Sequence, residues 1–223
     1  MRAAISLFAL WLAMILSGCA APTRHATDPL AHVGADRADV PFSMRLSIKA
    51  STTIDGASET GRVTGTMWGN GTGPVRMDLS MGIGTTVARC LEDGSALYVY
   101  VPREDNLYVS TGTSHGGPML SGFRLPFGLR EIALLAHGCF TPLTDGPRRG
   151  RMSETPDGLP SQWSDRHGWT IGFSYRDGPR PYRMTAMHRD GSEAVIIVKR
   201  LERVAPYAPA QLRLDVPAGT TIK

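Results

Sequence analysis

From Phe42 to Ala50 every second position is apolar: Phe42, Met44, Leu46, Ile48 and Ala50 alternate with Ser43, Arg45, Ser47 and Lys49. Successive side chains of an extended chain point to opposite faces, so this period predicts a strand with one buried face. Strand-like stretches follow at 62–68, 75–81, 85–91, 96–101 and 106–110, parted by Asn70-Gly71, Gly82-Ile83-Gly84, Asp93-Gly94 and Glu104-Asp105. Those are turn-forming pairs, which predicts hairpins in succession. One segment changes period. Between Gly128 and His137, the residues Leu129, Ile132, Ala133 and Ala136 share one helical face, Leu134 and Leu135 widen it, and Gly138 is a stop signal. Strands resume at 161–165, 169–175, 182–188 and 193–201, with a last short one at 212–216, while 141–160 reads mostly as loop.

About ten strands in meander order around one apolar helix predict a mainly β fold. The expected architecture is an open, strongly curved antiparallel sheet with the helix as a plug or lid on its concave face. With 42% hydrophobic and 20% charged residues, a packed fold is expected rather than a disordered chain, and 25 Gly with 16 Pro argue against a helical bundle.

The first 40 residues follow another pattern. Arg2, an apolar run from Ala3 to Ile15, and then Leu16-Ser17-Gly18-Cys19 read as an export signal, with a run too short to span a bilayer. Leu16-Ser17-Gly18-Cys19 resembles the bacterial lipobox, in which the cysteine is acylated and becomes the new N-terminus. The expectation is a lipoprotein signal peptide at 1–18 and a lipidated Cys19, carrying acyl chains such as palmitate. Each buried methylene is worth about 0.8 kcal/mol, so two or three chains make a lasting anchor. Ala20 rather than aspartate after Cys19 points to the outer membrane of a Gram-negative bacterium, with the protein facing the periplasm. Residues 19–40, rich in proline and small residues, form the lipidated N-terminus and a tether with a reach of roughly 25 Å. His25 and His32 within it read as solvated side chains. One domain is expected over 41–223.

Charge and motifs narrow the function. The net charge of +4 is small and scattered, and neither zinc-type Cys/His spacing nor an aromatic-basic signature is present, so no nucleic acid and no metal are expected. Ser114-His115 lacks a third group to orient it. Gly69-Asn70-Gly71-Thr72-Gly73 precedes a strand, so no helix N-terminus faces an anion there. Asp157, Asp165, Asp177 and Asp190 occupy turns without pairing. Neither an enzyme nor a cofactor is expected.

The chain from about Phe42 to Lys223 resembles the periplasmic lipoprotein carriers and outer-membrane lipoprotein receptors of the LolA/LolB-like fold. The resemblance rests on the order of several pieces: the lipobox, Val75-Arg76-Met77-Asp78-Leu79-Ser80, Met81-Gly82-Ile83-Gly84, Thr85-Thr86-Val87-Ala88-Arg89 and Leu97-Tyr98-Val99-Tyr100-Val101-Pro102. After these come Leu125-Pro126-Phe127-Gly128-Leu129 through Gly138, and Leu212-Arg213-Leu214-Asp215-Val216-Pro217-Ala218-Gly219-Thr220. It implies an eleven-stranded open half-barrel, lidded by helices, whose apolar interior takes the acyl chains of lipoproteins or other lipids and helps insert them into the outer membrane. The partners it implies are the membrane, lipoprotein acyl chains and a periplasmic carrier protein.

On that resemblance the lipid-binding cavity is expected at Met44, Leu46, Ile48, Val63, Met67, Met77, Leu79, Leu129 and Ile132, methionine being suited to variable apolar shapes. Periodicity alone favours a closed core, in which Met44, Met67, Met77 and Met184 simply fill space. The resemblance makes Ile83, on the loop after the third strand, the membrane-transfer residue; a side chain folded back on the sheet is the other reading. Cys90 and Cys139 are either a disulfide fastening the helix to the sheet or two buried thiols. A structural or assembly lipoprotein of the envelope, using the same fold as a protein-binding module, is the alternative function.

Overall fold

A computed structural model describes residues 40–54, 57–82, 84–94, 96–111, 119–120, 123–144 and 150–223. The signal peptide, Cys19 and the tether to residue 39 lie outside the described residues, as do Ile83 and Ser114-His115.

Six strands follow one another as an antiparallel meander: β1 (Pro41–Ile54), β2 (Ala57–Asn70), β3 (Val75–Met81), β4 (Thr85–Asp93), β5 (Ala96–Val101) and β6 (Asn106–Thr111). A small hairpin, β7 (Met119–Leu120) with β8 (Phe123–Arg124), leads to α1 (Leu129–Ala136) and a single turn, α2 (Thr141–Thr144). A second meander runs β9 (Arg151–Glu154), β10 (Pro160–Ser164), β11 (Trp169–Tyr175), β12 (Pro181–His188) and β13 (Glu193–Arg203). The chain ends in a 3-10 turn at Pro209–Leu212 and the two-residue β14 (Thr221–Ile222).

The two meanders are joined by β1 pairing antiparallel with β13, which gives one sheet in the order β14-β6-β5-β4-β3-β2-β1-β13-β12-β11-β10-β9. It does not close, because β6 with β14 ends one side and β9 the other. Alternation along β1 is as the sequence predicts, with Phe42, Met44, Leu46, Ile48 and Ala50 buried. The β13 partners of Met44, Leu46, Ile48 and Ala50, which are Leu201, Val198, Ile196 and Ala194, face the same way, across a bulge between Arg45 and Leu46. Further bulges interrupt β3–β4 and β11–β12. Each adds local bend and twist, which is how a wide sheet curls.

The curl is visible in what α1 touches. The helix contacts β3 and β4 on one side and β12 on the other. β3 and β12 are four steps apart in the sheet, a path of about 19 Å at the usual strand spacing. A helix reaches both only if the sheet wraps around it. Leu129, Ile132 and Leu135 are fully buried there, so α1 is a plug seated in the concave face. Gly138 ends it as expected: its φ is +83°, its N–H donates to Leu135 O at 2.9 Å, and Cys139 N donates to Leu134 O at 2.9 Å.

Two expectations are corrected. Residues 141–160 contain α2 and β9 rather than loop alone. The strand expected at 212–216 is absent: Leu212 closes the 3-10 turn and is buried, and Leu214 and Val216 lie on an extended strap crossing the outside of the sheet. Outward-facing groups hold that strap, since Trp68 Nε1 donates to Gln211 O at 3.0 Å, Asn70 Nδ2 to Tyr207 O at 2.9 Å, and Arg76 Nη1 to Arg213 O. Its tail is tied to the β5–β6 turn, where Asp105 accepts from Thr220 Oγ1 at 2.7 Å.

Candidate functional site

The concave face and its plug form the candidate site. All nine expected cavity residues sit together in it: Met44, Leu46, Ile48, Met67, Met77, Leu79, Leu129 and Ile132 are at most 1% exposed, and Val63 is 8% exposed. They share one apolar cluster with residues the periodicity did not single out, among them Leu125, Phe127, Phe140, Leu143 and Trp163. The Leu125-Pro126-Phe127-Gly128 stretch carried the signal for several of these, since apolar residues just before a helix tend to pack with it. Packing is close around Gly65 on β2, where an added Cβ would meet Leu79 Cδ2 at 3.3 Å and Met77 sulfur at 3.5 Å.

Polar atoms in this interior serve to seat the plug. A helix start leaves several N–H groups without partners, and burying them unpaired is costly. Glu92, reaching in from β4 and only 8% exposed, accepts from Leu129 N at 2.5 Å and from Arg130 N at 3.3 Å. Glu131 accepts from Gly128 N at 3.0 Å. The carboxylate also lies at the positive end of the helix dipole. Gly128 leaves room for this contact, since a Cβ there would stand 2.6 Å from Glu92 Oε2 and push the carboxylate aside. Arg130 Nη2 donates to Gly73 O at 3.0 Å, tying the same end of α1 to the β2–β3 turn. At the other end the buried His137 ring stands edge-on to Phe42, 5.6 Å between centroids. A lone glutamate on a strand gives no sign in the sequence that it caps a helix nearly forty residues away.

Cys90 and Cys139 are both buried and both free thiols. Burial, with a smaller contribution from the Asp78 charge, pushes the Cys90 thiol up to about 12, so it is an inert apolar member of the wall. Cys139 Sγ lies 3.1 Å from Thr141 Oγ1. Two of the turn aspartates have local partners: Asp165 accepts from His167 N and Trp169 N, both at 2.9 Å. Asp190 accepts from Ser192 N at 2.8 Å, which with the His188 contact holds its carboxyl below the usual range. Among the described residues no cluster of metal-ligating side chains occurs. No helix among them is long and apolar enough to cross a membrane, which says nothing about strands.

The tip between β3 and β4 projects from the sheet. Met81 is 51% exposed, and Gly82 and Gly84, with φ of +58° and +81°, have nothing within 4 Å of where a Cβ would be. Ile83 itself is outside the described residues.

The sequence matches no family model and no curated protein. Solved structures do match. A DUF1329 family protein from Desulfovibrio piger, 13% identical, superposes with a TM-score of 0.53 over 86% of this chain and 97% of that one. A LolA superfamily protein from Nitrosomonas europaea, 11% identical, gives 0.47 over 85% and 96%. A putative outer membrane lipoprotein-sorting protein domain from Vibrio parahaemolyticus, 10% identical, gives 0.49 over 84% and 94%. Identities this low speak to fold alone. Setting aside β14, the sheet has eleven antiparallel strands, open at one seam and wrapped around a helix, as the sequence resemblance implies. The fold is an open, strongly curved antiparallel half-barrel around a helix, shared with the DUF1329 family protein. In this half-barrel the plug, its Glu92 seat and the β3–β4 tip are the features a function has to use.

Proposed function

We propose that the protein is an outer-membrane-anchored lipoprotein that takes acyl chains of lipoproteins or other lipids into the half-barrel and helps insert them into the outer membrane. The observation that carries this reading is the unbroken apolar lining shared by the inner strand faces and α1. An acyl chain is a flexible apolar rod, and methionines at positions 44, 67, 77 and 184 give that lining adaptable surfaces. Because the plug occupies the interior, entry requires α1 to swing out, and its single turn of polar attachment at Glu92 makes it the movable part. The lipobox at Cys19 and the tether to residue 40 supply the anchor in this scheme, and the exposed Met81 beside Ile83 supplies an apolar tip for the membrane. A periplasmic carrier would hand over the cargo.

The close packing at Gly65 favours a second reading, in which the interior stays filled and the protein is a structural or assembly lipoprotein that binds proteins through its surface. A fluorescent fatty-acyl probe separates the two. Saturable binding that acylated lipoprotein displaces, and that Met77→Lys abolishes while the protein remains folded, supports the lipid reading. Absence of binding by the folded protein leaves the second.

A further inference from the structure

The outer face of the sheet carries charge in a pattern that folding does not call for. Residues opposite one another on neighbouring antiparallel strands have Cβ atoms about 5 Å apart, and like charges so placed are destabilising. Here this happens twice on β1. Arg45 is opposite Arg200 of β13, and Lys49 is opposite Arg62 of β2. The alternation that turns Met44, Leu46 and Ile48 inward turns all four outward, and all four are exposed. Arg183 of β12, opposite Ile197, joins them on the same face.

Across β2, β1, β13 and β12 this face holds five cations against two carboxylates, Glu193 and Glu202. Glu202 is already engaged by Arg200 at 2.6 Å. Arg45, Lys49 and Arg62 make no ion pair among the described residues. The cations span four residues along β1, about 13 Å, and three strand steps across, about 14 Å. At one end a groove of about 240 Å³ is lined by Ser43, Arg45, Thr66, Arg200 and Glu202, so two guanidinium groups and two hydroxyls converge there. At the other end Arg62 is one strand away from the β3–β4 tip, because Thr64 is opposite Ser80 and Met81 follows directly.

We propose that this outer cationic strip docks the half-barrel on an anionic bilayer surface, with lipid headgroup phosphates among Arg45, Arg200, Lys49 and Arg62. Charge complementarity selects the occupant, since a strip of cations in excess of its carboxylates on a broad sheet suits a continuous layer of negative charge better than a discrete peptide. The start of the domain agrees: β1 begins at Pro41, four residues before Arg45, so a chain tethered to a membrane through residues 19–40 presents this end to it. The exposed Met81 at the far end of the strip is then held at the surface. The proposal borrows only the tether from the functional reading above and does not need an acyl-binding interior.

The test is vesicle flotation of the whole mature chain from residue 19 with Cys19→Ser, so that no acyl anchor contributes. Vesicles are neutral phosphatidylcholine, with or without a third of phosphatidylglycerol. Flotation is expected with the anionic vesicles only, and it should be lost in high salt. Arg45→Glu with Lys49→Glu is the decisive variant. A cation near an anionic leaflet is worth about fivefold in partitioning, so removing two should lower it by at least about 25-fold. Both changes also turn like-charge pairs into opposite-charge pairs, so the melting temperature should hold or rise, and acyl-probe binding should not change. Equal flotation on neutral vesicles, no flotation of the parent chain on anionic ones, or normal flotation of the double variant would each overturn the proposal. Loss of acyl binding alone would count against the functional reading and leave this one standing.

Discussion

Replacing Glu92 by glutamine tests how the plug is held. The substitution keeps the shape and an acceptor oxygen facing Leu129 N and Arg130 N but removes the charge. Hydrogen bonds to a charged group contribute about 1.5–3 kcal/mol against about 0.5–1.5 for neutral ones, and the helix dipole adds up to about 2 in a partly buried setting. These overlap rather than add, so the expected loss is about 1.5 kcal/mol. For a domain of this size 1 kcal/mol lowers the melting temperature by about 2–4 °C, which predicts a fall of about 3–6 °C by calorimetry. If an acyl chain enters by displacing α1, the same loss lowers the cost of opening, and probe affinity should rise by about tenfold. A melting temperature within about one degree of the parent refutes the capping role. A drop in stability with no gain in affinity refutes entry through displacement of α1.

The buried Cys90 thiol gives a pH dependence of known sign. An unfolded thiol ionises near 9.0, while the folded one keeps its proton to about 12, so the folded state binds more protons between those values. Its contribution is complete below about pH 9 and is lost as pH rises towards 12, which urea midpoints measured at about pH 8 and pH 10.5 should register and Cys90→Ala should reduce. Leu212, 6% exposed beneath the strap, should cost about 2 kcal/mol when changed to alanine and make the tail from 204 onward more open to protease; unchanged proteolysis would show that the strap is held by its hydrogen bonds alone. Ile83→Asp should leave the melting temperature and acyl-probe binding intact and abolish transfer of cargo into vesicles, because a carboxylate resists insertion into the lipid interface. Unfolding of that variant, or normal transfer by it, would remove the tip from the mechanism.

Period-two alternation located most of the sheet because one face of each strand is buried by the curl around α1. β3, β5 and β11 begin and end where the pattern does. The same signal misled at Leu212, Leu214 and Val216. An extended chain lying on a sheet alternates just as a strand does, and alternation is blind to whether backbone groups pair with a ladder or with Trp68 and Arg76. Thr141 to Thr144 escaped notice because four residues cannot show a helical period. The apolar lining of the site was legible residue by residue, whereas its polar seat was not: Glu92 and Gly128 meet only through the fold. The opposition of Arg45 to Arg200 was equally hidden, since it depends on a register between strands that the chain places more than 150 residues apart.

That seam sets the order in which the molecule can be completed. β1 is the first strand of the chain, yet one of its two edges waits for β13, nearly the last. Until then the meander β1 to β6 stands with an open edge, and its apolar concave face lacks the second meander. Contacts of such long sequence separation form slowly, and half-sheets with bare edges invite pairing with other chains. A block in translation beyond α1 would leave a species more prone to aggregate than the fully unfolded chain.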